Sequence, residues 1–314
     1  MMIHSLSGPP PTSLASALER FETEFTYPLG PGRSFRISHG EDYPRFFRAM
    51  GEARCFAAER NGVVLGTIGA ALRPLWLPSG EECTAVYLGD LKITAHARQG
   101  RALVRLAEVV QQWVGGRTHA AFAVVMEGTR VTPMRYTGRL GIPQLGDLAK
   151  VIVLRIATAG ADLKCSATAT ADEAGTACYR RLSMGRYACP GGTRAERSAI
   201  APHWLALSGD RACGRLEDTR RAKRLIADDG QEMPSAHLSC FAYRDPASGV
   251  ELAQAARVKA ASLGFPALFV AVPPTDADAI MRGLGSTEVV AAPATIYGTG
   301  LEAGRLWNIN TAEI

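Results

Sequence analysis

Along the first part of the chain, apolar and polar residues alternate in short runs bounded by turn residues, a period that predicts strands over 35–38, 55–59, 63–72 and 84–93. Asn61-Gly62, between the second and third of these, marks a tight hairpin because both residues accept positive φ angles. Residues 42–50 read as a short helix. From 101 to 114 the interval changes: Leu103, Leu106, Val110, Trp113 and Val114 recur at helical spacing, and Arg101, Arg105, Glu108 and Gln112 fill the other face. Gly115-Gly116 ends that helix, and the nearly continuous apolar run 121–126 suits a strand buried on both faces. A short helix over 133–139 and a strand over 151–156 follow.

The segment 157–202 is rich in Ala, Thr, Gly and Ser and weakly periodic, so the connection between two domains is expected there. Beyond it come strands over 203–207, 213–220, 237–243 and 267–272, with helices over 250–263 and 276–284. This order repeats the first half, and Gly249 and Ala267 follow Gly100 and Ala121 by about 150 positions, a period that fits a duplicated domain rather than a solenoid. The fold expected is α/β in the mixed-sheet, α+β sense, with two domains, each a central mixed sheet flanked by helices. Residues 1–30 read as a flexible, exposed leader because Pro9 to Pro11 interrupt them, 31–160 as the first domain, 161–202 as the connection and 203–314 as the second domain.

Composition narrows the classes without choosing among them. The 314 residues are 47% hydrophobic and 21% charged, as in folded globular proteins. No run approaches the ~20 apolar residues that span a bilayer, so no membrane segment is expected. Seven cysteines, Cys55, Cys83, Cys165, Cys178, Cys189, Cys213 and Cys240, are scattered without metal-ligand spacing, which points to reduced thiols in a cytoplasm and to no metal. The formal charge of +5 is dispersed except at Arg220, Arg221, Lys223 and Arg224, a cluster that reads as a solvated face and makes a nucleic-acid partner unlikely. The phosphate cradles Gly-x-x-x-x-Gly-Lys-Ser/Thr and Gly-x-Gly-x-x-Gly are absent, as is the nucleophile elbow Gly-x-Ser-x-Gly.

The chemistry concentrates in the stretch 87–103, which runs from a strand through a basic loop into the amphipathic helix. A helix N-terminus presents backbone N–H groups and a favourable dipole to an anion. Gly100 lets the backbone approach, Ala102 keeps the next turn small, and Arg98 and Arg101 add charge. The sequence Ala97-Arg98-Gln99-Gly100-Arg101-Ala102 resembles the pyrophosphate loop of the GCN5-related N-acetyltransferase (GNAT) superfamily, Gln/Arg-x-x-Gly-x-Gly/Ala after a strand. It departs from that pattern at its first position, Ala97, with the basic residue displaced to Arg98.

The resemblance implies a first domain that binds acetyl-CoA or another acyl-CoA as co-substrate. Arg98, Gln99, Gly100, Arg101 and Ala102 would then meet the pyrophosphate, and backbone groups at Leu91 and Ile93 the pantetheine arm. It further implies direct transfer to an amine of a small molecule, amino acid or peptide in a ternary complex. Asp90, on the thioester-bearing strand, and Glu127, at the end of the buried strand, are the base candidates; each also reads as a solvated or capping carboxylate. Tyr136 is the acid candidate, in Tyr136-Thr-Gly-Arg-Leu-Gly141-Ile142, one residue longer than the family's Tyr-x-x-x-Gly-Phe-like context; packing is its other reading. The second domain has Asp245 where a phosphate site would carry a basic residue, so it is expected to be degenerate and to shape the acceptor pocket or mediate homo-oligomerisation. The competing expectation is a non-catalytic, regulatory acyl-CoA-binding protein.

Overall fold

The computed structural model describes residues 1–28, 34–98, 100–128, 131–161, 167–191 and 195–314. The first half runs β1 (Met2–Leu6), α1 (Thr12–Glu22), short β2 (Tyr27–Pro28), β3 (Ser34–Ser38), α2 (Arg45–Arg48), β4 (Glu52–Arg60), β5 (Val63–Trp76), β6 (Glu82–Ile93), α3 (Ala102–Val114), β7 (Ala121–Met126), α4 (Pro133–Tyr136) and β8 (Gly146–Ala157). The second runs β9 (Thr168–Thr170), α5 (Asp172–Leu182), short β10 (Tyr187–Ala188), β11 (His203–Ala206), β12 (Ala212–Glu217), β13 (Arg224–Ala227), β14 (Ala236–Tyr243), α6 (Pro246–Ser262), β15 (Ala267–Val272), α7 (Pro274–Gly283), β16 (Val289–Thr299) and β17 (Trp307–Asn308), followed by a 3-10 turn over Thr311–Glu313. No described helix is long and apolar enough to cross a membrane.

One sheet holds both halves, in the order β1-β4-β5-β6-β7-β16-β8-β15-β14-β12-β11-β9. The order reads alike from either end once β1, β4, β5, β6, β7 and β8 are matched with β9, β11, β12, β14, β15 and β16. Each half therefore gives its last strand to the other: β16 enters between β7 and β8, and β8 between β16 and β15. A second, three-stranded sheet, β13-β3-β2, fastens the halves again by pairing Arg224–Ala227 with residues 35–38.

Four expectations change. Residues 1–28 do not form an exposed leader: β1 pairs with the edge of β4, and Leu14, Ala17, Leu18 and Phe21 of α1 are buried at helical spacing. The prolines do not prevent this, since Pro11 immediately precedes the helix rather than interrupting it. The stretch 161–202 is not merely a connection, because β9 and α5 stand in the second half where β1 and α1 stand in the first, and α5 packs near β12. The second repeat thus starts by Thr168 rather than at 203. Strand β16 escapes the sequence pattern because Pro293 interrupts it, a residue usually confined to edges; here Pro293 lies just past β7's last pair, Ala294 with Met126, and its carbonyl accepts from Glu127 N at 2.8 Å.

Where the halves meet, charge is buried. Arg73 of β5 and Arg197 grip the two carboxylate oxygens of Glu313 at 2.7 and 3.0 Å, and Arg197 also holds Glu217 of β12 at 2.8 Å. Burial pushes the Glu217 carboxyl up, but Arg197 and Arg215 overcome it and hold it at about 2. A carboxyl depressed from 4.5 to about 2 contributes roughly 3 kcal/mol of stability above its unfolded value, lost as pH falls toward the folded one. Acid unfolding should therefore steepen below pH ~4.5. Glu217→Gln is expected to flatten that limb while lowering stability at pH 7 by about 3–5 kcal/mol, the cost of stranding the buried guanidinium groups; urea titration across pH checks both. Leu18→Ala in α1 should cost about 2–5 kcal/mol in the same assay, whereas an exposed leader would show no change.

Candidate functional site

The site begins where two strands part. Strands β6 and β7 are parallel neighbours only at Val86–Ala121 and Tyr87–Phe122; beyond these pairs β6 stays with β5, and β7 follows β16. Residues 88–93 consequently have one edge without a strand partner, the edge that faces the opening. Within this stretch β6 bulges: Gly69 faces Gly89 and Thr67 faces Lys92, so Ile68 alone opposes both Asp90 and Leu91. Asp90 takes a left-handed φ of 53° to make the bulge. Gly69 and Gly89 have a packing reason to be glycine, since the Phe47 ring would lie 2.0 Å from a Cβ at Gly69 and 3.2 Å from one at Gly89.

The open stretch delivers the chain into α3 through a single 3-10 turn, Ala95–Ala97, closed by Ala97 N to Thr94 O and Gly100 N to Ala97 O, both 3.0 Å. Ala102, Leu106 and Val110 lock α3 onto Phe56, Ile68, Leu72 and Val86, and Leu91 and Ile93 pack at the edge of this cluster. Arg101, the N-cap of α3, makes no side-chain capping hydrogen bond, and no other described residue caps that turn. Arg98, Gly100 and Arg101 are exposed at the turn, and Ala102 is buried beneath it. Gln99 lies outside the described residues. A Cβ at Gly100 would stand 3.2 Å from Ala97 O, so a side chain there crowds the loop.

On the opposite face of the bulge lies a buried polar cluster that sequence reasoning met only through Asp90. Lys92 Nζ is 2.6 Å from Asp90 Oδ1, and the Tyr43 hydroxyl donates to Asp90 Oδ2. His39 Nδ1 lies 2.5 Å from Glu22 Oε1 and 4.0 Å from Asp90 Oδ2, while the His39 amide donates to Glu22 Oε2 at 3.1 Å. The imidazole packs against the Tyr43 ring at 4.5 Å and the Phe46 ring at 5.8 Å. Burial acts to raise the Asp90 carboxyl, but the Lys92 ammonium, with the Tyr43 hydrogen bond, outweighs it and holds the group below the usual carboxylate range. Burial likewise drives the Tyr43 hydroxyl well above its ordinary value, with Asp90 adding to it.

Candidate ligand atoms of Glu22, His39 and Asp90 lie within 4.8 Å of one another, a spacing a metal ion could bridge. The Lys92 ammonium, 2.6 Å from Asp90 and 3.9 Å from Glu22, already supplies positive charge there, so the donor set does not fit an additional cation. Glu22, His39, Tyr43 and Lys92 come from α1, the turn after β3, the approach to α2, and β6. Only the fold unites them, and the nearest sequence signal was the alternation of Asp90 and Lys92 on one strand.

The other candidates fall elsewhere. Tyr136, last residue of the one-turn α4, is half-buried, and burial together with Tyr297 of β16 pushes its hydroxyl up to about 12. Glu127 stands on the surface, 3.7 Å from Lys150, outside the Asp90 cluster. The basic cluster does not form one face: Lys223 is buried over the Phe46 ring, and Arg220 is paired with Asp218 at 2.6 Å.

The second half repeats the geometry and fills it. Strands β14 and β15 part after Ala236–Leu268 and His237–Phe269, and β14 bulges at Cys240, whose φ is 51°, opposite Gly214. Here the chain's own residues occupy the opening. Asn310 Oδ1 accepts from Cys240 N at 2.7 Å, and Thr311 Oγ1 donates to Phe269 O at 3.3 Å. Thr311 Oγ1 also meets His237 Nδ1 at 3.0 Å; burial lowers that imidazole to about 3, so it is neutral. The matching helix is closed too, since Asp245 accepts from Ser248 N at 2.9 Å and caps α6.

No protein-family model matches the chain, and no curated protein matches it by sequence. Solved structures do match by shape. Saccharomyces cerevisiae N-myristoyltransferase with bound myristoyl-CoA superposes with a TM-score of 0.65 at 9% identity, over 99% of this chain and 82% of the yeast chain. The yeast enzyme with myristoyl-CoA and inhibitors gives 0.63 at 8%, over 99% and 84%. A GCN5-related N-acetyltransferase from Anabaena variabilis gives 0.52 at 10%, over 95% and 72%. The chain therefore has a GNAT-like fold, a likeness of architecture that extends along nearly its whole length.

The charge arithmetic of the cluster can be tested apart from any ligand. Lys92→Met should destabilise the protein by about 3–5 kcal/mol because it strands Asp90 as an unpaired buried anion. Adding Asp90→Asn should recover much of that loss, and urea unfolding of the double-mutant cycle measures the coupling.

Proposed function

We propose that the chain is an acyl-CoA-dependent N-acyltransferase whose donor lies in the cleft between β6 and β7. The observation that carries this reading is the divergence of those strands into an uncapped, basic helix turn. In this arrangement Leu91 and Ile93 offer backbone groups to the pantetheine arm, and Arg98, Gln99, Gly100, Arg101 and Ala102 receive the pyrophosphate. The yeast enzyme that shares the fold was crystallised with myristoyl-CoA, which supports an acyl-CoA donor and leaves acetyl and longer chains to be compared.

The acceptor is an amine of a small molecule, amino acid or peptide. A thioester is already activated, so direct attack in a ternary complex needs no covalent enzyme intermediate. Two of the buried thiols are poorly suited to a nucleophilic role, since burial raises Cys189 to about 11 and Cys240 to about 12. Tyr136 is the proton donor to the departing thiolate, a role that suits a hydroxyl still protonated at neutral pH. Asp90 marks the bulge beside the thioester. Glu127, exposed and paired with Lys150, is the more remote acid/base candidate.

Thermal unfolding with acetyl-CoA and longer acyl-CoAs, with free CoA and ATP as controls, tests the donor site. Ligand at about 100 times its dissociation constant should stabilise the protein by ~2.7 kcal/mol, a shift of about 4 °C for cooperative unfolding of a chain this long at ~2.1 cal/mol/K per residue. Gly100→Glu should abolish the shift while the protein stays folded, and titration calorimetry should give one acyl-CoA per chain because the second cleft is filled. No acyl-CoA-specific shift would sink the proposal. Binding without thiol release across a panel of amines would leave an acyl-CoA-binding protein that does not catalyse.

A further inference from the structure

We infer that His39, held by Glu22, accepts the proton from the attacking amine, and that Asp90 is a positioning residue rather than the base; this rests on the transferase reading. Both Asp90 oxygens are engaged, Oδ1 by Lys92 at 2.6 Å and Oδ2 by the Tyr43 hydroxyl. A carboxylate so committed has little capacity left to take a proton from a substrate. His39 is arranged differently. Both oxygens of Glu22 fix it, one on the ring Nδ1 at 2.5 Å and one on its backbone amide at 3.1 Å. With Nδ1 donating to Glu22, the neutral ring carries its lone pair on Nε2, which no group among the described residues hydrogen-bonds.

This is the recurring arrangement of an imidazole base oriented by a carboxylate. It sits next to the bulge in the stretch of β6 beyond its last pair with β7, with Nδ1 4.0 Å from Asp90 Oδ2. Tyr43 connects the two parts: its ring packs on the imidazole, while its hydroxyl meets Asp90 and lies 3.3 Å from Thr67 Oγ1. Thr67 Oγ1 in turn donates to the backbone carbonyl of Asp90 at 3.1 Å, so the conformation of the bulge and the placement of the base are fixed together.

The step balances as follows. The amine nitrogen attacks the thioester carbonyl carbon and forms the C–N bond, and its proton passes to His39 Nε2. The C–S bond breaks, the electron pair leaves with sulfur, and the CoA thiolate takes a proton from Tyr136. Exchange with solvent then returns His39 and Tyr136 to their starting states. The products are an amide and free CoA thiol, with no oxidant, reductant or metal required.

The test follows thiol release from acetyl-CoA and a long-chain acyl-CoA, using water alone, hydroxylamine and a panel of alkylamines as acceptors. Wild type, His39→Gln and Glu22→Gln are compared, and acyl-CoA binding is measured separately by thermal shift. Gln at position 39 keeps a donor toward Glu22 and so guards the fold. Both variants are expected to retain the acyl-CoA-induced shift. His39→Gln should slow alkylamine turnover by ~10²–10⁴-fold, as loss of a general base does, and Glu22→Gln should slow it less. Hydroxylamine, unprotonated and strongly nucleophilic at neutral pH, should lose much less rate than alkylamines in His39→Gln, a split that simple loss of structure would not produce. Wild-type rates in a binding-competent His39→Gln, equal losses with both acceptor classes, or a wild type that binds acyl-CoA but releases no thiol to any acceptor would each overturn the assignment. A wild type that binds no acyl-CoA fails the transferase reading itself, and the binding measurement separates that failure from the others.

Discussion

The pairing of β16 with β7, Thr299 through Ala294 against Ala121 through Met126, fixes where β7 can lie, and the rest of the molecule follows from that. One edge of β7 is bonded along its length to a strand from the other half, and the other edge shares only its first two residues with β6. An opening between two parallel strands normally leaves backbone donors and acceptors unpaired, which is costly inside a protein. The fold meets that cost in two ways. In the second half the Asn310 and Thr311 side chains take the strand edges permanently; in the first half the edge of β6 stays open to an incoming molecule.

The two bulges make the comparison sharper. Asp90 and Cys240 occupy matching places, both with left-handed backbone, yet their surroundings have diverged. Around Cys240 the Asn310 side chain takes the backbone N–H, with the buried Arg215, Glu217 and Glu313 charges nearby. Around Asp90 the fold gathers Lys92, His39, Glu22 and Tyr43, groups whose charges nearly cancel and whose hydrogen bonds are directional. Buried ionic clusters of this kind add little net stability compared with well-packed apolar residues.

Periodicity revealed much of this architecture, but unevenly. The helix from 101 to 114 was legible because its apolar residues keep one period and Gly115-Gly116 end it, and the flanking strands because one alternates and the other is a short unbroken apolar run. The basic turn at Arg98 to Ala102 was legible for the same reason, since its neighbours identify it as a strand-to-helix junction. Three kinds of feature were hidden. Leu14, Ala17, Leu18 and Phe21 carried a clear helical interval, but the prolines before them drew attention to the wrong property. Strand β16 combines Pro293 with small residues, and only its position between two other strands makes it a strand. The Glu22, His39 and Asp90 cluster spans 68 positions and three elements, so no local pattern could have joined it.

The exchanged strands also impose an order on biosynthesis. As the chain leaves the ribosome, residues forming β4 to β7 emerge long before 289–299, and until then β7 has one edge with no permanent neighbour. The first half, though first in sequence, cannot finish its sheet until most of the second half has been translated. A product truncated before β16 would expose the edges of both β7 and β8, a ready template for pairing with another chain. The architecture that holds β6 and β7 apart in the mature protein thus makes the nascent chain dependent on shielding until its final long strand arrives.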